Sequence, residues 1–189
     1  NPFPGTLLKN YKLSKEGSGK ETRHFEISIA GSGIHYKCGD ALAILPYNNV
    51  DLVKEVLQAG GLSGQETVLI SETETKILEK ALVENYSLQY ISPNLLQELQ
   101  KAVTDVTDTK FLQKITAPEF KKEFKETYFD VLDLFLDLPK TSLNPQALVN
   151  SLRPLKPRLY SIASSPTQYP QEIHLCIVIN NSFLKGRTR

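Results

Sequence analysis

The sequence contains no methionine, only two cysteines and three histidines, and its formal net charge is +1. Most of these shortages remove a class of function. Cys38 and Cys176 are too few for a disulfide framework or a four-ligand zinc site. His24, His35 and His174 are scattered along the chain and make no metal-binding spacing, so free thiols and no metal are expected. So small a charge gives no electrostatic case for binding nucleic acid or a membrane surface. No apolar run approaches the length of a membrane span, and the start Asn1-Pro-Phe-Pro-Gly5 has neither the basic nor the apolar region of a secretion signal. A cytoplasmic setting is the expectation.

What is present is an ordinary globular composition, 40% hydrophobic and 23% charged, in a chain long enough for one large domain or two small ones. The missing methionine, and a last stretch Lys185-Gly-Arg-Thr-Arg189 unlike a natural terminus, predict a piece of a longer protein.

Three sections follow one another. Through about Pro46 the chain reads as strands: Phe25, Ile27 and Ile29 alternate with polar neighbours, turns are signalled at Gly31-Ser-Gly33 and Gly39-Asp40, and Ala41-Leu-Ala-Ile-Leu45 is apolar. From about Asn49 to Leu152 the period becomes helical, with Val50, Val53, Val56 and Leu57 on one face and Ile77, Leu78, Leu82 and Val83 on another. Helix starts are predicted at Ser92-Pro93, where proline suits the first turn, and at Asn144-Pro145, where Asn caps and proline occupies the first helical position. Leu95 to Val103, Glu119 to Phe124 and Tyr128 to Leu136 carry further helical spacing. Phe129, Leu132, Leu134, Phe135 and Leu138 read as core, while Lys121-Lys122 and Glu84-Asn85 read as solvated faces. Strands return at Arg158 to Ala163 and Glu172 to Asn180. Strands, helices, strands is the pattern of an inserted domain.

The chemistry concentrates in Arg153-Pro-Leu-Lys-Pro-Arg158-Leu-Tyr160-Ser161-Ile-Ala-Ser164-Ser165-Pro166. On an extended segment Arg158 and Tyr160 share one face, while Leu159 and Ser161 share the other. One face can then serve a ligand and the other a core. Pro157 precedes the strand, where its missing N–H costs little. Taken as four letters, Arg-x-Tyr-Ser also describes an ordinary strand with a rim charge, a half-buried ring and a turn serine; the full run from Leu152 to Pro166 is far more specific.

That run resembles the flavin-binding motif of the ferredoxin-NADP reductase superfamily in its diflavin-reductase form, and with Leu152-Arg-Pro-Leu-x-Pro157 it is most similar to the sulfite-reductase branch. Tyr36, Gly39, Asp40, Pro46 and Asn48 match the Tyr-x-x-Gly-Asp…Pro-x-Asn pattern of the same family. The resemblance implies an α+β fold: an antiparallel flavin-binding β-barrel formed by residues 1–48 and 153–189, with an inserted all-helical connecting domain over 49–152. It implies FAD as cofactor, with Arg158 on the pyrophosphate, Tyr160 stacked on the isoalloxazine and Ser161 as the catalytic hydroxyl near N5. Leu159 belongs to the same site. The side chains suit these roles, since a guanidinium matches phosphate oxygens bidentately and a hydroxyl both donates and accepts.

Ile173 to Ile179 match the next family strand, where main-chain groups of Cys176, Ile177 and Val178 hold the flavin ring; the residues alone are equally those of a buried strand. Ser182 stands where relatives usually place an adenine-covering tyrosine, with Phe183 beside it. The family continues past Gly186 to Arg189 into a Gly-rich turn and helix that hold the pyrophosphate. The implied parent takes hydride from NADPH onto FAD and passes electrons singly to FMN. Its implied partners are an NADPH domain and an FMN domain of the same chain, with a haem-containing sulfite reductase subunit as acceptor. Turnover by this piece alone is not expected. A cytochrome P450 reductase-like diflavin reductase shares the motif, and a non-catalytic domain with a vestigial flavin site is the competing class.

Overall fold

The alternation of Phe25, Ile27 and Ile29 with polar residues yields the strand it predicts, β2 (Glu21–Ser28), at the centre of a three-stranded antiparallel sheet. One edge is β1 (Thr6–Lys12) and the other is β9 (Glu172–Ile179), from the far end of the chain. The β2–β9 ladder is continuous from Glu21 opposite Ile179 to Ser28 opposite Glu172. Because paired residues share a face, Phe25 and Ile27 lie with Leu175 and Ile173 on one side, and these pack with Ile29 and Tyr36 into an apolar cluster. A second ladder joins β3 (Ala41–Ile44) to β8 (Arg158–Ser161). β10 (Phe183–Leu184) and β11 (Arg187–Thr188) form a short antiparallel pair. The computed structural model describes residues 2–120, 130–179, 183–184 and 187–188.

The chain divides into two compact units, Asn1–Leu45 with Lys156–Arg189, and Pro46–Leu155. β1 lies within the section read as strands, although no alternation marked it there, and its seven residues are all exposed. Ile34 to Tyr36, read as part of a strand, has no regular structure, although the Tyr36 side chain is buried.

In the second unit the helices α1 (Val50–Ala59), α2 (Leu78–Glu84), α3 (Pro93–Ala102), α4 (Val106–Thr116), α5 (Val131–Leu136) and α6 (Pro145–Ser151) surround a leucine-rich core. The starts of α1, α3 and α6 follow from capping. Asn49 Oδ1 accepts from the Asp51 N–H at 2.7 Å, Ser92 Oγ from Leu95 N–H at 3.0 Å, and Asn144 Oδ1 from Gln146 N–H at 2.9 Å, satisfying donors that a helix N-terminus leaves orphaned. Pro93 and Pro145 occupy first-turn positions as their sequence context predicts. Leu132, Leu134, Phe135 and Leu138 are buried, as expected of core. Phe129, Tyr128, Lys121-Lys122 and most of the helix expected over Glu119 to Phe124 lie outside the described residues; Pro118–Phe120 is a single 3-10 turn.

This unit is not purely helical, contrary to the expectation for 49–152. β4 (Thr67–Leu69) pairs with β5 (Thr75–Ile77), and β6 (Tyr86–Ser87) pairs with β7 (Arg153–Pro154). Ile77, expected on the helical face beside Leu78, instead ends β5, precedes α2 and is exposed. β-branched residues at 67, 68, 75 and 77 favour the pleated pairing, and the β4–β5 partner overrides the local helical spacing. The fold is therefore mixed α and β with several antiparallel sheets, and no closed barrel is formed by the described strands.

Two consequences are measurable. Leu82 is completely buried, so Leu82→Ala is expected to lower the unfolding free energy by about 2–5 kcal/mol, read from urea denaturation. At α4, the Asp105 carboxylate accepts from Thr107 N–H and from Lys140 Nζ, and the Lys140 hydrogen bond above all holds its pKa below the usual carboxylate range. A lowered folded pKa gives stability that is present above the unfolded value of about 3.9 and lost as pH falls through the folded one. Asn also caps, so Asp105→Asn isolates the charge: the variant is expected to be less stable than the wild type at pH 7, with the two curves converging on acidification.

Candidate flavin strand and its supports

The motif strand β8 is placed by its ladder with β3 and by hydrogen bonds just past its C-terminal end. Its ladder with β3 sets Ser161 opposite Ala41, Tyr160 opposite Leu42, Leu159 opposite Ala43 and Arg158 opposite Ile44. Just beyond, the Ile162 N–H donates to the Asp40 carbonyl at 3.0 Å, and Ala163 N–H donates to the His174 carbonyl at 2.8 Å. Ile162 and Leu175 form a bridge. The chain thus crosses from β3 to β9 within three residues.

The Gly39-Asp40 turn makes the first of these contacts possible. Gly39 has φ 97°, a left-handed conformation that residues with a Cβ rarely adopt. The turn is closed by Asp40 N–H to the Lys37 carbonyl at 3.1 Å and by Lys37 N–H to Asp40 Oδ2 at 2.8 Å. Tyr36 secures the second. Its buried hydroxyl lies 2.8 Å from Ser164 Oγ, 3.0 Å from the Glu172 carbonyl oxygen and 3.2 Å from that of Tyr169. Ser164 Oγ accepts from His174 N–H at 3.1 Å, which leaves the serine proton for the Tyr36 oxygen and the Tyr36 proton for the two carbonyls.

Of the two faces of β8, one serves the core: Tyr160 is the half-buried residue that packs, with Leu42, Ile44 and Ile162, against the Ile29–Tyr36–Ile173–Leu175 cluster. Leu159 is 73% exposed. The reason is the partner strand: Leu42 and Ile44 stand opposite Tyr160 and Arg158 and turn that face inward, while Ala41 and Ala43 offer the other face nothing to bury. Arg158 and Ser161 are exposed.

On β9, Cys176 is exposed, Val178 is 44% exposed, and Ile177 packs against the apolar cluster. His174 directs both its main-chain groups away from β2, toward Ala163 and Ser164. Alternation along the strand then turns the N–H and C=O of Cys176 and Val178 to that same edge, and those of Ile177 toward β2. Apart from the Ile162 bridge, that edge carries no strand partner among the described residues. These are the groups a planar heteroaromatic ring with alternating donors and acceptors requires, so the β9 edge and the exposed β8 side chains fit a flavin. Ser182 and Gly186 lie outside the described residues.

The sequence reading missed two features. The hydroxyl network of Tyr36 was hidden because Ser164 and Glu172 follow it by more than a hundred residues; the Tyr-x-x-Gly-Asp spacing was the only local signal. The second is that β2–β9 pairing brings His24 and His174 together with Glu26 on one face of the sheet. Tyr36→Phe removes one hydroxyl from this buried network and is expected to cost about 1–3 kcal/mol, read as a lower urea midpoint at unchanged slope, with faster amide exchange at Ala163 and His174.

A family model described as FAD binding domain matches residues 1–189. The sulfite reductase [NADPH] flavoprotein alpha-component of Aliivibrio fischeri is 37% identical over 189 residues, which are 100% of this chain and 30% of that protein. The protein of the same name from Bacillus subtilis is 35% identical over 193 residues, 100% of this chain and 31% of its own length. That from Vibrio parahaemolyticus is 36% identical over 177 residues, 94% of this chain and 27% of its length. The chain thus spans under a third of these relatives.

Proposed function

Because the chain belongs to the FAD binding domain family along its whole length, we propose that it is the FAD-holding part of an NADPH-dependent diflavin reductase of the sulfite-reductase type. The observation that carries this reading is the Arg158–Ser161 strand, held by β3 on one side while its cation, its hydroxyl and the apolar Leu159 side chain stay exposed beside the open edge of β9. Residues 1–48 and 153–189 are two parts of an antiparallel flavin-binding barrel, and 49–152 a mainly helical connecting domain. The division of the chain at Leu45/Pro46 and Leu155/Lys156 supports those limits.

Within the site, Arg158 clamps the pyrophosphate: its guanidinium stays charged at all working pH and offers paired N–H donors. Tyr160 presents a flat face to the ring system, with its packing against the Ile29–Tyr36–Ile173–Leu175 cluster limiting its rotation. Ser161 holds a proton at flavin N5 as the catalytic hydroxyl, Leu159 excludes water from the exposed side, and main-chain groups of Cys176 and Val178 orient the ring, while Ile177 between them turns its main chain to β2 and packs on the apolar cluster. By the family pattern the adenine contact falls to Ser182 or to Phe183 beside it. Bound FAD supplies hydride acceptance and one-electron release. The parent chain's NADPH and FMN domains and a haem-containing sulfite reductase subunit complete the route, in a cytoplasmic setting that the exposed free thiols of Cys38 and Cys176 suit.

Titration of FAD and of riboflavin, followed by flavin fluorescence, tests this directly. A phosphate contact of about 1.5–3 kcal/mol predicts that Arg158→Ala weakens FAD binding by about ten- to a hundredfold and leaves riboflavin nearly unchanged. Equal loss for both ligands would remove the phosphate role, and absence of FAD binding both by this chain and by one extended through the family's Gly-rich turn would remove the flavin site.

A further inference from the structure

The outer face of the β1–β2–β9 sheet, opposite the Ile173–Leu175 core, carries a cluster that the flavin site does not use. Two cross-strand rows make it: Tyr11, His24 and Cys176 in one, Lys9, Glu26 and His174 in the next. His24, Glu26 and His174 each offer one ligand atom, and these atoms all lie within 4.8 Å of one another. His24 Nε2 is 3.5 Å from Glu26 Oε1, and the two imidazoles stand edge to face with centroids 5.2 Å apart.

The cluster is sheltered as well as close. Glu26 and His174 are 9% and 7% exposed although they lie on the polar face. The Tyr11 ring packs on His24 at 4.9 Å and the Tyr169 ring on His174 at 4.2 Å. Glu172 Oε2 lies 3.0 Å from His174 Nε2, and Lys9 Nζ lies 2.9 Å from Glu26 Oε2. Lys9 is mostly exposed on a flexible stem, so it is a competitor for the carboxylate that can swing aside.

We propose that His24, Glu26 and His174 form a binding site for a divalent zinc-type cation, which ties β2 to β9. Two imidazoles and one carboxylate are a three-ligand set that leaves a fourth tetrahedral position for water. Ligand atoms about 2.0–2.1 Å from zinc are separated by about 3.3 Å, so the observed spacing closes by side-chain rotation without moving the strands. The donor set favours borderline transition-metal ions over Mg²⁺ or Ca²⁺, which take oxygen ligands. The proposal rests on side chains outside the Arg158–Ser161 strand and stands independently of the flavin reading.

The test is titration of Zn²⁺ into the 189-residue chain, by calorimetry and by thermal unfolding, with Co²⁺ as the spectroscopic probe. One equivalent of Zn²⁺ is expected to bind and raise the Tm, as any ligand selective for the folded state must, while Mg²⁺ leaves the Tm unchanged. His24→Gln and Glu26→Gln are each expected to weaken Zn²⁺ by about tenfold or more, and Lys9→Ala to tighten it. No Zn²⁺ binding by the wild-type chain would overturn the proposal. So would undiminished binding by His24→Gln, or a thiolate-to-cobalt band abolished by Cys176→Ser. If Glu26→Gln does not fold, His24→Gln, at a more exposed position, decides.

Discussion

The first unit depends on one long-range ladder, the pairing of β2 with β9. Residues from Glu21 to Ser28 must find partners from Glu172 to Ile179, and only then do Phe25, Ile27, Ile173 and Leu175 have a common apolar face. The entropy of closing so long a loop grows only logarithmically with its length, and here the intervening chain forms its own core, with Leu78, Leu82, Leu95 and Leu148 fully buried. A folded insert is a far less floppy connection than an equally long coil.

The same ladder organises the chemistry. β9 meets β2 along one edge and turns the main-chain groups of Cys176 and Val178 to the other, where Ile162 and Ala163 arrive directly from the motif strand. Tyr36, Gly39 and Asp40 hold that crossing: a left-handed glycine turn delivers the Asp40 carbonyl to Ile162, and a buried phenol gathers Ser164 and the carbonyls of Tyr169 and Glu172. The Tyr-x-x-Gly-Asp pattern, which lies far from the motif strand in sequence, has a structural role that accounts for each of its residues. It positions the strand that bears Arg158 and Ser161 without supplying a reacting group.

The two faces of the sheet differ in kind. The inner face is apolar at Phe25, Ile27, Ile173 and Leu175, and the outer face collects Lys9, His24, Glu26, Glu172 and His174 under two tyrosine rings. A buried carboxylate opposite imidazoles needs a cation or a proton nearby, and Lys9, from the exposed strand β1, meets that need in this structure.

Local physics was legible in the sequence. The alternation at Phe25, Ile27 and Ile29, the capped starts at Ser92-Pro93 and Asn144-Pro145, the glycine turns and the buried Leu132–Leu138 stripe all follow from side-chain period and backbone chemistry over a few residues. The long motif from Leu152 to Pro166 also carried the cofactor class, because the residues that suit a flavin dinucleotide are contiguous. Tertiary structure decided the rest. Ile77 became strand because Thr67 pairs with it; Tyr160 rather than Leu159 turned inward because Leu42 and Ile44 lie opposite its face; and His24, Glu26 and His174 met because β2 and β9 chose one register, which a shift of a single residue would have undone. Period and capping are written in neighbours along the chain, whereas facing, register and the meeting of distant side chains exist only once the ladders have formed.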